Sequence, residues 1–265
     1  MKNLISFIIL LYFSYALGYS FSSNDYPYVV TIYVKGQPVS NGIVLDKNHV
    51  LTSAHEYFNL VSVKPADYKK LGIEVHVGSS YTQPSTKIIS VVHIILHYKY
   101  KVKDSFIDGN DLAIFTTEDD LTDFVDWPNT DMRIVKELHD SDHFVEVMID
   151  EFKHCNIIGF NEITEKFPKG NLFISDYFPI STNKCSKQIA FVHNNENVFC
   201  GNSMSCDWLA GAPVICTGND KKRYLVGLLS QSLVPCFEGV KPVVLTKIPA
   251  YLDWLNNVIH SDKLK

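Results

Sequence analysis

From Tyr28 onward the chain is a succession of short runs rich in β-branched and aromatic residues, and nothing else restricts its possible folds as strongly. YVVTIYV, GIVL, HVLTS, IEVHVG, KIISVVHIIL and DLAIF follow one another, separated by turn signals such as Lys35-Gly36-Gln37-Pro38, Ser40-Asn41-Gly42, Asp46-Lys47-Asn48 and Asp108-Gly109-Asn110. Such runs, bounded by Gly, Pro, Asn and Asp, read as antiparallel strands. An acidic, weakly periodic stretch from Thr116 to Asp131 then reads as a crossing between two halves. Beyond it FVEVMI, CNIIGF, NLFIS, AFV, PVIC, RYLVGLLS and PVVLTKI read as further strands. Only the tail, Pro249 to Ile259, spaces its apolar residues at i, i+3, i+4 and i+7, which predicts one terminal amphipathic helix. Two β halves with a C-terminal helix point to paired barrels or sandwiches, and periodicity leaves that choice open.

Composition excludes several classes of function. With 46% hydrophobic and 20% charged residues, the chain of 265 is neither disordered nor a coiled coil. Its 24 Lys+Arg against 29 Asp+Glu, with no basic run, lack the field that nucleic-acid binding requires. Residues 1–18 carry one cation at Lys2, an apolar run from Leu4 to Phe13, and small residues at Ala16 and Gly18, the pattern of a secretory leader. The run falls short of the roughly 20 residues a membrane span needs. The expectation is a secreted, extracellular protein with no membrane partner, one unit more negative once Lys2 is removed. All six cysteines, Cys155, Cys185, Cys200, Cys206, Cys216 and Cys236, lie in the second half. In a secreted chain they predict disulfides, and their spacing does not suit zinc, so neither metal nor cofactor is expected. Spacing alone leaves their pairing open.

Three motifs go further. Val50-Leu51-Thr52-Ser53-Ala54-His55 resembles the histidine motif of the chymotrypsin/trypsin family of serine proteases, and Asn110-Asp111-Leu112-Ala113-Ile114 resembles its aspartate motif. Cys206 to Cys216, CDWLAGAPVIC, resembles the family's nucleophile loop, and the order His, Asp, nucleophile also matches. Cys155 to Phe160 resembles the strand that opens the second barrel, and Lys241 to Lys247 the last strand before the terminal helix. The resemblance spans about Tyr26 to Ile259. It implies an all-β fold of two six-stranded antiparallel Greek-key barrels with a C-terminal helix. After the leader, 1–18, the domain would run over 19–265: first barrel about 26–118, linker about 119–135, second barrel about 136–248, helix about 249–260. It also implies the disulfides Cys155 with Cys216, Cys185 with Cys200 and Cys206 with Cys236.

The same resemblance places Ala210 where the nucleophilic serine stands, beside His55 and Asp111. A methyl group cannot attack a carbonyl, and removing the serine from a working triad costs roughly 10⁶ in turnover, about 8 kcal/mol of barrier. Trp208 stands at the oxyanion glycine, where a side chain alters the backbone and crowds the approach; it is expected to plug its own vacated cleft, the alternative being an exposed binding anchor. Leu209 replaces the aspartate that pairs with a new N-terminus after zymogen cleavage, and the Arg/Lys-I-V-G-G cleavage motif is missing. Met204 lies at the floor of the specificity pocket and Val243 replaces a glycine of its wall. Ser230 matches the serine beneath the substrate backbone, while Gln231 and Ser232 replace Trp-Gly. Asn41 and Glu56 occupy the neighbourhood of the family's disulfide beside the histidine. Ser203 and Ser205 are displaced by several residues from Ala210 and do not substitute for it. His55 and Asp111 are then expected to persist as a buried hydrogen-bonded pair.

This pattern of losses most resembles the inactivated protease paralogues of the scabies mite, relatives of the group 3 mite allergens. That resemblance implies a non-catalytic protein that binds host defence proteins and inhibits complement; a monomer is expected. A decoy or regulator that binds protease inhibitors or a partner protease, and residual endopeptidase activity, are the alternatives.

Overall fold

The computed structural model describes residues 26–60, 62–78, 87–102, 109–121, 132–134, 144–160, 172–188, 196–203, 210–231 and 241–262. The leader, the AFV run, Met204, Cys206, Trp208, Leu209, Ser232, Cys236 and most of the expected linker lie outside the described residues.

Six strands close the first barrel: β1 (Val29–Val34), β2 (Gln37–Val44), β3 (His49–Thr52), β4 (Glu74–Val77), β5 (Lys87–Leu96) and β6 (Ala113–Thr117), hydrogen-bonded in the order β1-β2-β3-β6-β5-β4. Ile32, Ile43, Leu51, Ile73, Ile89 and Ile114 are fully buried inside it. Each such side chain contributes roughly 1.5–3 kcal/mol by leaving water, and with no disulfide among its described residues that burial holds the barrel together.

The second barrel is built from β8 (Phe152–Phe160), β9 (Leu172–Ile180), β10 (Val198–Ser203), β11 (Pro213–Gly218), β12 (Arg223–Gln231) and β13 (Lys241–Lys247). Its order is β11-β8-β9-β10-β13-β12, closed by the β11–β12 pairing. A short strand inside the expected linker, β7 (Met132–Ile134), adds to β12 in parallel. The fold class expected from the sequence is therefore the one observed. A 3-10 turn, Ile248–Tyr251, leads into the terminal helix, which covers Leu252–Asp262 and is here called α3, after the two helices introduced below. Its Leu255 and Val258 join the first barrel's core, and so do Ile158, Phe160, Ile215 and Leu228 of the second barrel, so one apolar layer runs between the barrels.

Two elements correct the reading of the sequence. FVEVMI is not a strand: α1 (Phe144–Glu151) is helical and runs directly into β8. Phe144 and Met148, one helical turn apart, enter the second barrel's core with Phe152, while Asp150 and Glu151 remain in water. Six residues are too few for period 2 and period 3.6 to be told apart, and the packing of this face decided. The terminal helix is also not alone, because the polar segment TNKCSKQ forms α2 (Thr182–Gln188). Cys185 in α2 is bonded to Cys200 in β10 and buried with Val198 and Val244, which fastens a helix of little intrinsic apolar character to the sheet.

Candidate functional site

The site lies where the two barrels meet, and each of its groups is held by backbone geometry. β3 ends at Thr52, and Ser53-Ala54 lead into a 3-10 helix, His55–Leu60. Tyr57 anchors that helix. It is fully buried, packs edge-on against Phe115 at 4.6 Å and bonds Ser40 Oγ, which lies 3.0 Å from Thr52 Oγ1. With Tyr57 turned inward, His55 and Glu56 are left at the rim, their side chains 25% and 39% exposed.

Asp111 precedes β6 and is 1% exposed. Four donors meet its two oxygens: the Ala54 and His55 amides at Oδ1, each 2.8 Å, and at Oδ2 the His55 Nδ1–H at 2.7 Å and the Ser230 hydroxyl. The turn carrying it is fixed from both barrels. Gly109 has φ +70°, and a Cβ there would lie 2.5 Å from the Asn197 carbonyl oxygen; the Tyr251 hydroxyl just before α3 donates to the Gly109 carbonyl at 2.6 Å. His55, Asp111 and Ser230 are thus brought together from three segments far apart in the chain.

Ala210 sits on the same seam. Its carbonyl accepts from the Asn41 amide at 2.6 Å, and the Gly211 amide donates to the Leu229 carbonyl at 2.7 Å. Gly211 has φ +78°, and a Cβ there would run into the Asn41 carbonyl oxygen and lie 2.6 Å from Thr52 Oγ1, so only glycine permits this approach. Asn41, read in the sequence only as the lack of a cysteine, is a latch between the barrels. Its side-chain amide donates to the Phe160 carbonyl at 2.9 Å and its oxygen accepts the Phe160 amide at 2.6 Å.

Glu56 is the functional residue that the sequence did not reveal. Its Oε1 lies 3.1 Å from His55 Nε2, the ring nitrogen opposite the one held by Asp111. Burial works against the charged ring, but the hydrogen bonds and charges of Asp111 and Glu56 outweigh it and raise the His55 pKa to about 10. A general base works best with a pKa near the operating pH. At such a value the ring keeps its proton at neutral pH and offers no free lone pair. The signal was present as an acid directly after His55, yet adjacency in sequence does not say which nitrogen it meets.

Val243 is completely buried in the second barrel's core, paired in register with Gly201, so its isopropyl group fills space that a glycine leaves open. The disulfides Cys155–Cys216 and Cys185–Cys200 are formed. Among the described residues no cluster of His, Cys, Asp or Glu has the arrangement of a metal site, and no helix is long and apolar enough to cross a membrane.

Comparison with known proteins agrees with this architecture. The chain is 23% identical over 266 residues to Prostatic glandular kallikrein-6 of Rattus norvegicus, covering 91% of this chain and 88% of that one. It is 25% identical over 250 residues to human (Homo sapiens) Kallikrein-8, covering 92% and 86%. The solved structure of Kallikrein-related peptidase 10 superposes with a TM-score of 0.63 at 22% identity, over 91% of this chain and 99% of that one, which shows a shared fold. The profile of the Trypsin family matches residues 17–255, and with two six-stranded barrels meeting at His55, Asp111 and Ser230, the chain belongs to the trypsin family of serine protease homologues.

Proposed function

We propose that this chain is a secreted, non-catalytic member of the trypsin family that acts by binding proteins, and that host complement is the system it inhibits. The carrying observation is the geometry around His55: both ring nitrogens face carboxylates, Asp111 at 2.7 Å and Glu56 at 3.1 Å, neighbours that favour the charged ring. Ala210 at the nucleophile position supports the same reading, since neither an attacking oxygen nor a base to activate it is available. The buried Val243 supports a filled specificity pocket. The leader-like N-terminus and two disulfides support secretion, because such bonds persist in oxidising compartments. Complement as the target follows from the resemblance to the inactivated mite paralogues.

The test is a complement deposition assay with the purified protein, run through the classical, lectin and alternative routes beside a peptidase control. Dose-dependent inhibition without cleavage of any component is the expected result. Peptide turnover that disappears in a His55→Ala variant overturns the non-catalytic reading. Unaffected deposition together with tight binding of serine protease inhibitors replaces complement inhibition with a decoy role.

A further inference from the structure

We infer that Asn183 is the attachment site of an N-linked glycan, added to the nascent chain while the thiol of Cys185 is still free. Of all the asparagines in the chain, it alone is followed two positions later by Ser, Thr or Cys, in Asn183-Lys184-Cys185. The usual attachment sequence is Asn-X-Ser/Thr with X other than proline, and the hydroxyl at its third position is a hydrogen-bonding group that the transferring enzyme holds. A thiol offers the same pairing more weakly, as a weak S–H donor and a weak sulfur acceptor. Transfer to Asn183 is therefore slower than at an ordinary site, and incomplete.

The folded chain has room for the product. Asn183 and Lys184 are exposed in the first turn of α2, whereas Cys185 is completely buried. Two residues turn a helix by about 200°, so Asn183 faces water while Cys185 faces the sheet. A glycan is bulky and needs a surface position. At Asn183 it leaves undisturbed the packing of Cys185 against Val198, Cys200 and Val244.

The disulfide sets how long the site lasts. Once Cys185 is bonded to Cys200, no thiol remains for the enzyme to hold. Cys200 follows Cys185 by 15 residues, which take roughly 1–3 s to synthesise at about 5–20 residues per second. Cys185 thus reaches the secretory lumen as a thiol before its native partner exists. The co-substrate is an oligosaccharide carried on a polyisoprenyl diphosphate. Asn183 Nδ2 attacks C1 of the first sugar, and the C1–N bond forms as the bond from C1 to the phosphate oxygen breaks. The lipid diphosphate leaves with that electron pair, and Nδ2 loses one proton to base. The thiol is not consumed, so Cys185 can still close on Cys200, the oxidants of the lumen taking the two hydrogens. The inference rests on the secretion reading above, because this co-substrate meets a chain only inside the secretory pathway.

The test expresses the chain from residue 19 in a glycosylating eukaryotic cell behind an exchanged leader, so that entry does not depend on residues 1–18. A parallel arm with the native leader reads secretion alone. Mass spectrometry before and after peptide-N-glycosidase, which converts a glycosylated asparagine to aspartate, should show a mixture of occupied and empty Asn183. Asn183→Gln should abolish the glycan. Cys185→Thr, which supplies a hydroxyl, and Cys200→Ser, which keeps the thiol free, should each raise the occupied share. Occupancy is read on total lysate as well as on exported protein, so a variant that fails to fold still reports. An empty Asn183 in the parent overturns the proposal, whether or not Cys185→Thr is occupied, and so does a glycan that survives Asn183→Gln. Equal occupancy in the parent and in Cys200→Ser overturns the competition with the disulfide. An occupied Asn183 behind the exchanged leader, with no export behind the native one, supports the attachment site and overturns the secretion reading instead.

Discussion

Replacing Glu56 by glutamine isolates the charge facing His55 Nε2 while keeping the shape of the side chain. The pair is 3.1 Å apart, and the Glu56 side chain is 39% exposed, so solvent screens part of the interaction. A fully exposed ion pair contributes about 0.2–1 kcal/mol and a hydrogen bond to a charged group about 1.5–3 kcal/mol. A half-buried pair falls between, about 1.4 kcal/mol, which is about one pKa unit. Glu56→Gln should therefore lower the His55 pKa from about 10 by about one unit, with Asp111 continuing to hold the ring above its ordinary value. The sign of the stability effect follows from linkage. A pKa raised on folding adds stability that is fully present below the unfolded value, about 6.5, and is lost as pH rises through the folded value. Urea titrations should show the parent losing stability between pH 7 and pH 10. The parent should exceed Glu56→Gln by about 1 kcal/mol at pH 6, with the difference vanishing above the folded pKa. The direct assay is an NMR titration of labelled histidines, in which His55 is assigned among the ten by a His55→Gln variant. Catalysis gives an independent reading. With the ring pKa near 10, roughly one ring in a thousand is neutral at pH 7. Ala210→Ser alone should thus remain nearly inert, and adding Glu56→Gln should raise any peptidase rate about tenfold. A His55 that titrates near 7 in the parent, or a pKa that ignores Glu56, refutes the argument.

Gly211→Ala should destabilise the protein by about 3 kcal/mol or more, because a Cβ there meets the Asn41 carbonyl in a left-handed backbone conformation; parent-like urea unfolding contradicts that geometry. Asn41→Ala strands the Phe160 amide and carbonyl at the barrel seam, an expected loss of about 2–4 kcal/mol in the same assay. Removing the Cys185–Cys200 bond, which closes a 15-residue loop, should lower stability by about 3 kcal/mol in the chain-entropy account, read as a lower thermal midpoint. His97 is buried against Trp254 and Tyr251, and its burial, assisted by Lys99, lowers its pKa to about 4. A depressed pKa means that stability is lost as pH falls from about 6.5 through about 4, by up to about 3 kcal/mol. His97→Leu should flatten that part of the profile, and an unchanged profile removes the assignment.

The strands were legible because β-branched runs such as Val29–Val34 and Val243–Leu245 bury their side chains well in a sheet and turn residues punctuate them, while the choice of barrels over sandwiches came only from the motif resemblance. The helix α1 was not, since its amphipathic face spans only two turns and becomes distinguishable from a strand when Phe144 and Met148 meet a core. At the site, His55, Asp111 and Ala210 stood in motifs with a recognisable order. The roles of Asn41 and Glu56 did not: the latch joins residues 119 positions apart, and nothing local to Glu56 says that its carboxylate faces Nε2.

The sequence by itself determined most of the strands, the terminal helix and the absence of a hydroxyl at position 210, because these depend on side-chain identity and short-range periodicity. The protonation state of His55 was decided only by the tertiary structure. A pKa responds to burial and to charges within a few ångströms, and the fold alone sets those distances, carrying Asp111 from the turn before β6 and Ser230 from β12 to the 3-10 turn that holds His55 and Glu56.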